Sequence, residues 1–416
     1  MEERRVVITG TGVISPVGNG TAAFWSALLA GRCGISACPE FGEWGLPVKV
    51  AGVVRDFDPA AYGISIKETK RNDRFCLFAQ AAAAQAMGES GLEAGTNIAP
   101  ERLGVYIGTG IGGMQTFIEQ TKVMLEEGAD RISPLFIPKM IGNIAAGNIA
   151  IRYGAEGANL TATAACASST QSVGEAFRAV KYGFADAIIA GGTDRCTIPL
   201  GIAGFANAKA LSRSEDPQYA SLPFNANRGG FVMADGSAVL ILEEMEHAKA
   251  RGAHIYAEVT GYGSTCDAYH ATAPRPDGTT QAACIKAAMD QSGFDPEKDN
   301  VYVNAHGTGT HLNDLAETKA YKIAMGDFAY KAHISSTKSM HGHMFGATGA
   351  VEAIATVLAL QEGIIPPTVH LDTPDPECDL DYTPNVAVKA DVNLGLSDSF
   401  GFGGHNACLA FRKYIR

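Results

Sequence analysis

No stretch of the 416-residue chain approaches the roughly 18 to 20 consecutive apolar residues that a bilayer-spanning helix needs. Charge is scarce as well: Asp, Glu, Lys and Arg make up 19%, and 44 acids against 33 bases leave a net charge of −11. Proteins that bind nucleic acid carry the opposite balance, so the composition argues against that partner. The nine cysteines contain no Cys-x-x-Cys pair. That pattern fits a reducing compartment and offers neither a disulfide framework nor a zinc site. A Gly-Lys-Ser/Thr phosphate loop and low-complexity segments are also missing. Met1-Glu2-Glu3-Arg4-Arg5 runs straight into Val6-Val7-Ile8-Thr9-Gly10, a strand pattern and not a secretory leader. With 46% hydrophobic residues, what remains is a cytoplasmic globular protein.

Glycine, by contrast, is abundant, at 48 of 416 residues where about 7% is usual. No repeat accounts for the excess. Short β-rich runs (Val6–Thr9, Val105–Gly108, Ala187–Gly191, Val301–Ala305, Ile334–Ser336) alternate with helical stretches at Phe75–Gly88, Thr170–Tyr182 and Gly349–Gln361. Within the second helix Val173, Ala176, Phe177 and Val180 form one buried stripe. The alternation predicts α/β layers. A faint duplication accompanies it: Asn159 to Cys166 and Ile334 to Lys338 each pass from a strand through small residues toward a helix. Two halves are expected, 1–255 and 256–416. The segment Glu243–Gly252 reads as an exposed helix before the junction, with a new strand from Ile255 to Gly261.

Cys166 lies in Thr163-Ala164-Ala165-Cys166-Ala167-Ser168-Ser169, where a strand runs into a long helix. A helix N-terminus favours thiolate, and small neighbours leave room for a group on sulfur. His306 lies in Asn304-Ala305-His306-Gly307-Thr308, and His343 follows Lys338 by five residues in Lys338-Ser339-Met340-His341-Gly342-His343. A neutral imidazole at such a position can bond a carbonyl or move a proton. Gly10-Thr11-Gly12 and Gly108-Thr109-Gly110-Ile111-Gly112-Gly113 match a dinucleotide fingerprint only in part. Ser399-Phe400-Gly401-Phe402-Gly403-Gly404 reads as a tight turn presenting backbone N–H groups, suited to an oxyanion hole.

Together these segments resemble the elongating β-ketoacyl-[acyl-carrier-protein] synthases, type II, across essentially the whole chain. The motifs are Ala164-Ala165-Cys166, Asn304-Ala305-His306-Gly307-Thr308, Lys338-Ser339-Met340-x-Gly342-His343 and Gly349-Ala350-Val351-Glu352, in the family's order. The resemblance implies a thiolase-like duplicated α/β/α/β/α five-layer sandwich. It also implies a decarboxylating Claisen condensation with malonyl-[acyl-carrier protein]. Cys166 would carry the acyl chain as a thioester. His306 and His343 would hold the malonyl enolate, and Lys338 with Glu352 would orient His343. The N–H groups of Cys166 and Phe402 would form the oxyanion hole, with Phe402 also a gate.

By the same resemblance Ile111, Phe136, Phe205 and Phe400 contact the acyl substrate, while Thr272 and Thr308 contact the pantetheine arm. Lys67, Lys70, Arg71, Arg131 and Lys209 would dock acyl carrier protein, and a homodimer is expected. No cofactor is implied, because the substrates bring their own phosphopantetheine. A monovalent cation near Asn304, Glu352, Ser397 and Asp398 is implied by some relatives. The glycines at 10, 12, 108–113, 307, 309, 342, 346, 349 and 401–404 are expected to line the acyl-transfer site. Three positions depart from the usual pattern: Asp130 for a second basic residue, Asp398 for Asn, and Phe345 with Thr348 in a stretch commonly Leu- and Ala-rich. Two alternatives stand beside this reading: a ketosynthase of a polyketide or specialised lipid pathway, and a catalytically inactive carrier-binding scaffold.

Overall fold

A computed structural model describes residues 4–415. Ten strands and six helices carry the architecture. The first set is β1 (Val6–Ser15), α1 (Arg74–Ser90), β2 (Leu103–Gly108), α2 (Ile144–Tyr153), β3 (Asn159–Leu160), α3 (Ser168–Lys181), β4 (Ala187–Asp194) and β5 (Gly236–Glu244). The second repeats it as β6 (Ala257–Cys266), α4 (Thr279–Gln291), β7 (Val301–Asn304), α5 (His311–Met325), β8 (His333–Ser335), α6 (Thr348–Glu362), β9 (Leu394–Gly401) and β10 (His405–Lys413).

The strands run in the order β8-β7-β9-β10-β6-β1-β5-β4-β2-β3. Within each half the pairing senses match. β1 with β5 and β5 with β4 are antiparallel, then β4 with β2 and β2 with β3 are parallel. β6 with β10, β10 with β9, β9 with β7 and β7 with β8 repeat that sequence. The halves join where Val6, Val7 and Ile8 pair antiparallel with Val259, Glu258 and Ala257.

Helices α1 and α2 pack on the first five strands and α4 on the second five, where Ala320 and Tyr321 of α5 share a core with Val301, Val303 and Leu394. α3 and α6 each touch strands of both halves and each other, so they form a middle layer and the arrangement is α/β/α/β/α. Their sequences suit that place. In α3 Val173, Ala176, Phe177 and Val180 are all buried, and α6 is buried from Thr348 to Leu360. α1 starts on Asp73, whose carboxylate accepts the Phe75 N–H, and ends at the left-handed Gly91. No helix among the described residues is long and apolar enough to cross a membrane.

Two expectations need correcting. Glu243 and Glu244 close strand β5, and the following helix is only Met245–Ala250 with Met245 and Ala248 buried. The carboxylate of Glu243 accounts for this: it is buried and accepts from Thr9 Oγ1 and Arg251. Gly10 and Gly12 lie inside β1 and do not line a substrate site. A Cβ at Gly10 would stand 2.2 Å from the Ala86 carbonyl oxygen, and one at Gly12 2.0 Å from that of Ala82. The second half repeats the device: Cβ atoms at Gly261 and Gly263 would meet the carbonyls of Ala288 and Cys284 at 2.1 and 1.9 Å. These glycines let an outer helix lie directly on a strand, and backbone cannot yield there as a side chain could. Gly263→Ala is therefore expected to destabilise the protein by about 1–3 kcal/mol. An unchanged midpoint in denaturant unfolding would contradict that packing.

Candidate active site

Cys166 sits in a single tight turn, Ala165–Ala167, directly before α3. Ala165 holds a left-handed φ of 49°, an uncommon conformation that small side chains tolerate best. Phe345, with φ 52°, makes the corresponding turn before α6. The duplication thus places two matching turns at the inner ends of the two central helices. Asp194 ties the Phe345 turn to the loop at 109–111. Its carboxylate accepts the N–H groups of Gly110 and Gly346 at 2.7 and 2.8 Å and the Thr109 hydroxyl at 2.8 Å. Burial pushes its pKa up to about 6 against those bonds.

His306 follows β7 and His343 follows the short helix Lys338–His341. The Cys166 sulfur and one ring nitrogen from each histidine lie within 4.8 Å of one another, and all three residues are buried. His343 Nε2 is 2.9 Å from Cys166 Sγ. On its other side His343 Nδ1 accepts the Phe345 N–H at 3.2 Å and lies 2.9 Å from Thr348 Oγ1. A backbone N–H can only donate, so Nδ1 is unprotonated and the ring proton sits on Nε2, aimed at the sulfur. His306 is fixed through its backbone: its N–H donates to Glu317 Oε1 at 2.7 Å, and the next N–H, from Gly307, to Oε2 at 2.8 Å. Burial pushes the Glu317 carboxyl up to about 7.

Lys338 Nζ meets Glu352 Oε1 at 2.5 Å, both side chains buried. Burial raises the Glu352 carboxyl to about 8 even with the ammonium beside it. The ammonium makes no hydrogen bond to His343 among the described residues, so Phe345 and Thr348 orient that ring directly. Lys338 acts on the histidines by its field. Burial first, then that charge, pushes both imidazoles well below 6.5.

The thiol departs from the sequence expectation. Burial raises it to about 12, outweighing the Lys338 charge and the Phe402 and Cys166 amides that favour thiolate. A helix N-terminus alone does not ionise a sulfur this deeply buried. Those same two amides are the donors expected at an oxyanion hole.

A cavity of about 440 Å³ opens from the surface onto Cys166, His306 and His343, with Thr272, Thr308, Phe400, Phe402 and Lys209 in its wall. Ile111 and Phe205 pack in the apolar cluster around Cys166, whereas Phe136 lies outside it with its ring 6.3 Å from that of Phe117. Lys67, Lys70 and Arg71 are exposed on the short helix Ile66–Arg71; Arg131 is exposed and 3.8 Å from Glu127. Glu352 Oε2 and Ser397 Oγ are buried without a hydrogen-bond partner, and the Asn304 and Asp398 side chains are buried beside Glu352 and Glu317. Oxygen donors of this kind fit a hard monovalent cation. Sequence reasoning missed Asp194, Glu317 and the orienting pair Phe345 and Thr348. Only the departure noted at the last two gave any signal.

Residues 3–248 match the beta-ketoacyl synthase N-terminal domain family and residues 256–372 the C-terminal domain family. The chain belongs to the β-ketoacyl synthase family. A 3-oxoacyl-[acyl-carrier-protein] synthase 2 of Synechocystis sp. is 49% identical over 415 residues, covering 100% of this chain and 99% of the relative. One from Staphylococcus aureus is 46% identical over 413 residues, covering 99% of each. Among solved structures, a type II PKS ketosynthase in complex with its acyl-carrier protein superposes with a TM-score of 0.92 at 35% identity, over 100% of both chains. A beta-ketoacyl synthase from Burkholderia phymatum superposes with a TM-score of 0.92 at 33% identity, over 99% of this chain and 100% of that one.

With their pKa values depressed by burial, the two family histidines stay neutral as pH falls through 6.5 and gain a proton only well below it. In NMR spectra of ring-labelled protein, neither His306 nor His343 should titrate between about pH 8 and 5.5. A midpoint near 6.5 for either ring would show that the site is wet.

Proposed function

We propose that this protein performs the decarboxylating Claisen condensation of fatty-acid elongation, joining an acyl chain held on Cys166 to malonyl-[acyl-carrier protein]. One observation carries the assignment of roles: a buried thiol, two neutral imidazoles and two amide donors converge at the end of one cavity. First, the Cys166 sulfur attacks the acyl thioester carbonyl. The carrier's pantetheine thiol leaves with the proton that Cys166 gives up. His343 Nε2–H, the nearby Lys338 charge and the amides offset burial as the sulfur becomes anionic.

Malonyl thioester then enters. Its bond to the carboxylate breaks, carbon dioxide leaves, and the electron pair passes into an enolate. The ring N–H groups of His306 and His343 face that oxygen and stabilise it. The α-carbon attacks the acyl-Cys166 carbonyl, whose oxygen takes negative charge against the Cys166 and Phe402 amides. Collapse expels the Cys166 thiolate, which regains a proton, and β-ketoacyl-carrier protein departs. Glu317 and Asp194 are positioning residues: Glu317 holds the His306 loop, and Asp194 holds the Phe345 turn against the loop at 109–111. Asn304, Glu352, Ser397 and Asp398 would hold a monovalent cation, which supplies positive charge among buried carboxylates. The substrates bring the phosphopantetheine arm, so no other cofactor takes part.

Lys209 stands in the cavity wall, and Lys67, Lys70, Arg71 and Arg131 are exposed. This supports docking of an acidic carrier by local charge on a protein of net charge −11. The 46–49% identity to synthase 2 relatives favours fatty-acid elongation over a polyketide pathway, and the complete thiol and histidine set favours an active enzyme over a scaffold. Nine free cysteines suit a cytoplasmic location.

Incubation with acyl-carrier protein should add one acyl mass to the protein, on Cys166, and Cys166→Ala should abolish it. In the same assay Lys209→Glu should raise the KM for the carrier several-fold. No adduct on intact-mass measurement, together with no condensation, would sink the reading. We further infer a homodimer. Edge strand β3 exposes Leu160, and Ile151, Phe117, Leu135 and Ile137 are exposed apolar residues. Sedimentation should give twice the 43.5 kDa chain mass, and a monomer at micromolar concentration would refute it.

A further inference from the structure

Two unlike surroundings meet at the Cys166 sulfur. On the cavity side Thr308, Thr310, Asn313, Asp267 and Arg228 stand among apolar residues such as Phe231, Phe400 and Leu312, and give the amides of a pantetheine arm polar partners. On the other side Cys196, Ile202, Phe205, Ile111 and Phe345 make up an apolar cluster, and neither Ile111 nor Phe345 belongs to the cavity wall. An acyl chain on sulfur has to enter this apolar side, because burying methylenes against amides and carboxylates forfeits their transfer energy.

Phe345 fills that side. It comes from the second half, yet its ring sits 5.3 Å from Phe205 and against the backbone of Gly110. A Cβ on Gly110 would lie 2.2 Å from its Cδ1, so the ring occupies space that only glycine leaves open. The residue is 5% exposed and keeps its left-handed φ of 52°, a costly conformation for a bulky side chain. Its own N–H, bonded to His343 Nδ1, is one reason the backbone holds there.

We propose that the Phe345 ring is the stop for the acyl chain carried on Cys166 and makes this protein selective for short acyl donors. The inference rests on the condensing reading above. A long chain has to displace the ring from Gly110 and Phe205, and interiors packed this closely resist such displacement. Removing the ring opens the path.

The test follows Cys166 acylation by intact mass with carrier proteins bearing butanoyl through hexadecanoyl chains. The unsubstituted protein should react at least about tenfold faster with the shortest than with the longest chains. Phe345→Leu should raise the long-to-short rate ratio by about tenfold. Phe345→Gly, which suits the left-handed backbone, serves the same purpose if the leucine variant does not fold. Equal rates for all chains in the unsubstituted protein, or a ratio unmoved in a folded variant, would overturn the proposal. Failure of every chain to acylate Cys166 would instead bring down the condensing reading, and this inference with it.

Discussion

Helices α3 and α6 meet at their N-terminal ends because residue 349 has no side chain. A Cβ at Gly349 would lie 1.8 Å from Thr170 Oγ1 and 3.0 Å from the Thr170 nitrogen. With that contact allowed, the Ala350 N–H reaches Ser169 Oγ at 2.9 Å, and the turns holding Cys166 and Phe345 come face to face. Two positive helix ends then converge on one small volume. Everything chemical follows from this approach: His343 reaches the sulfur only because its segment leads into α6 while Cys166 leads into α3.

Burial around the site also decides the electrostatics. Asp194, Asp314, Glu317 and Glu352 are all raised, to between about 6 and about 8, and burial is the largest cause for each. Each carboxyl accepts bonds from backbone N–H groups, a hydroxyl or a cation. They serve as anchors for loops that must not move, and the desolvation they suffer is offset by those bonds. Breaking one partnership would leave a polar group stranded beneath a catalytic loop.

Much of this was legible along the chain. The stripe of α3 and the small-residue turn at Cys166 are local patterns, and local patterns survive in a single sequence. The site was legible where a motif held its residues within a few positions, as in Asn304-Ala305-His306-Gly307-Thr308. It was illegible where the partner is remote: Asp194 and Gly346 are 152 positions apart, and nothing near either announces the other. Gly10 and Gly12 were misplaced because a glycine demanded by helix packing looks the same in sequence as one demanded by a ligand. The thiol was misjudged for a related reason: a helix end is visible in sequence, whereas the exclusion of water is not.

The raised thiol and the lowered histidines have one cause, burial. An enolate needs donors that carry a proton without charge, and only a dry site keeps two imidazoles neutral beside a lysine. The same dryness holds the resting sulfur as a thiol. His343 cannot correct this by taking the proton, since Phe345 already occupies Nδ1 and Nε2 bears the hydrogen. In the proposed reaction it would donate to the sulfur as charge develops. In the condensation proposed above, the leaving thiolate of the acyl carrier supplies the destination for that proton. The burial that keeps the two imidazoles neutral thus also keeps the sulfur a thiol.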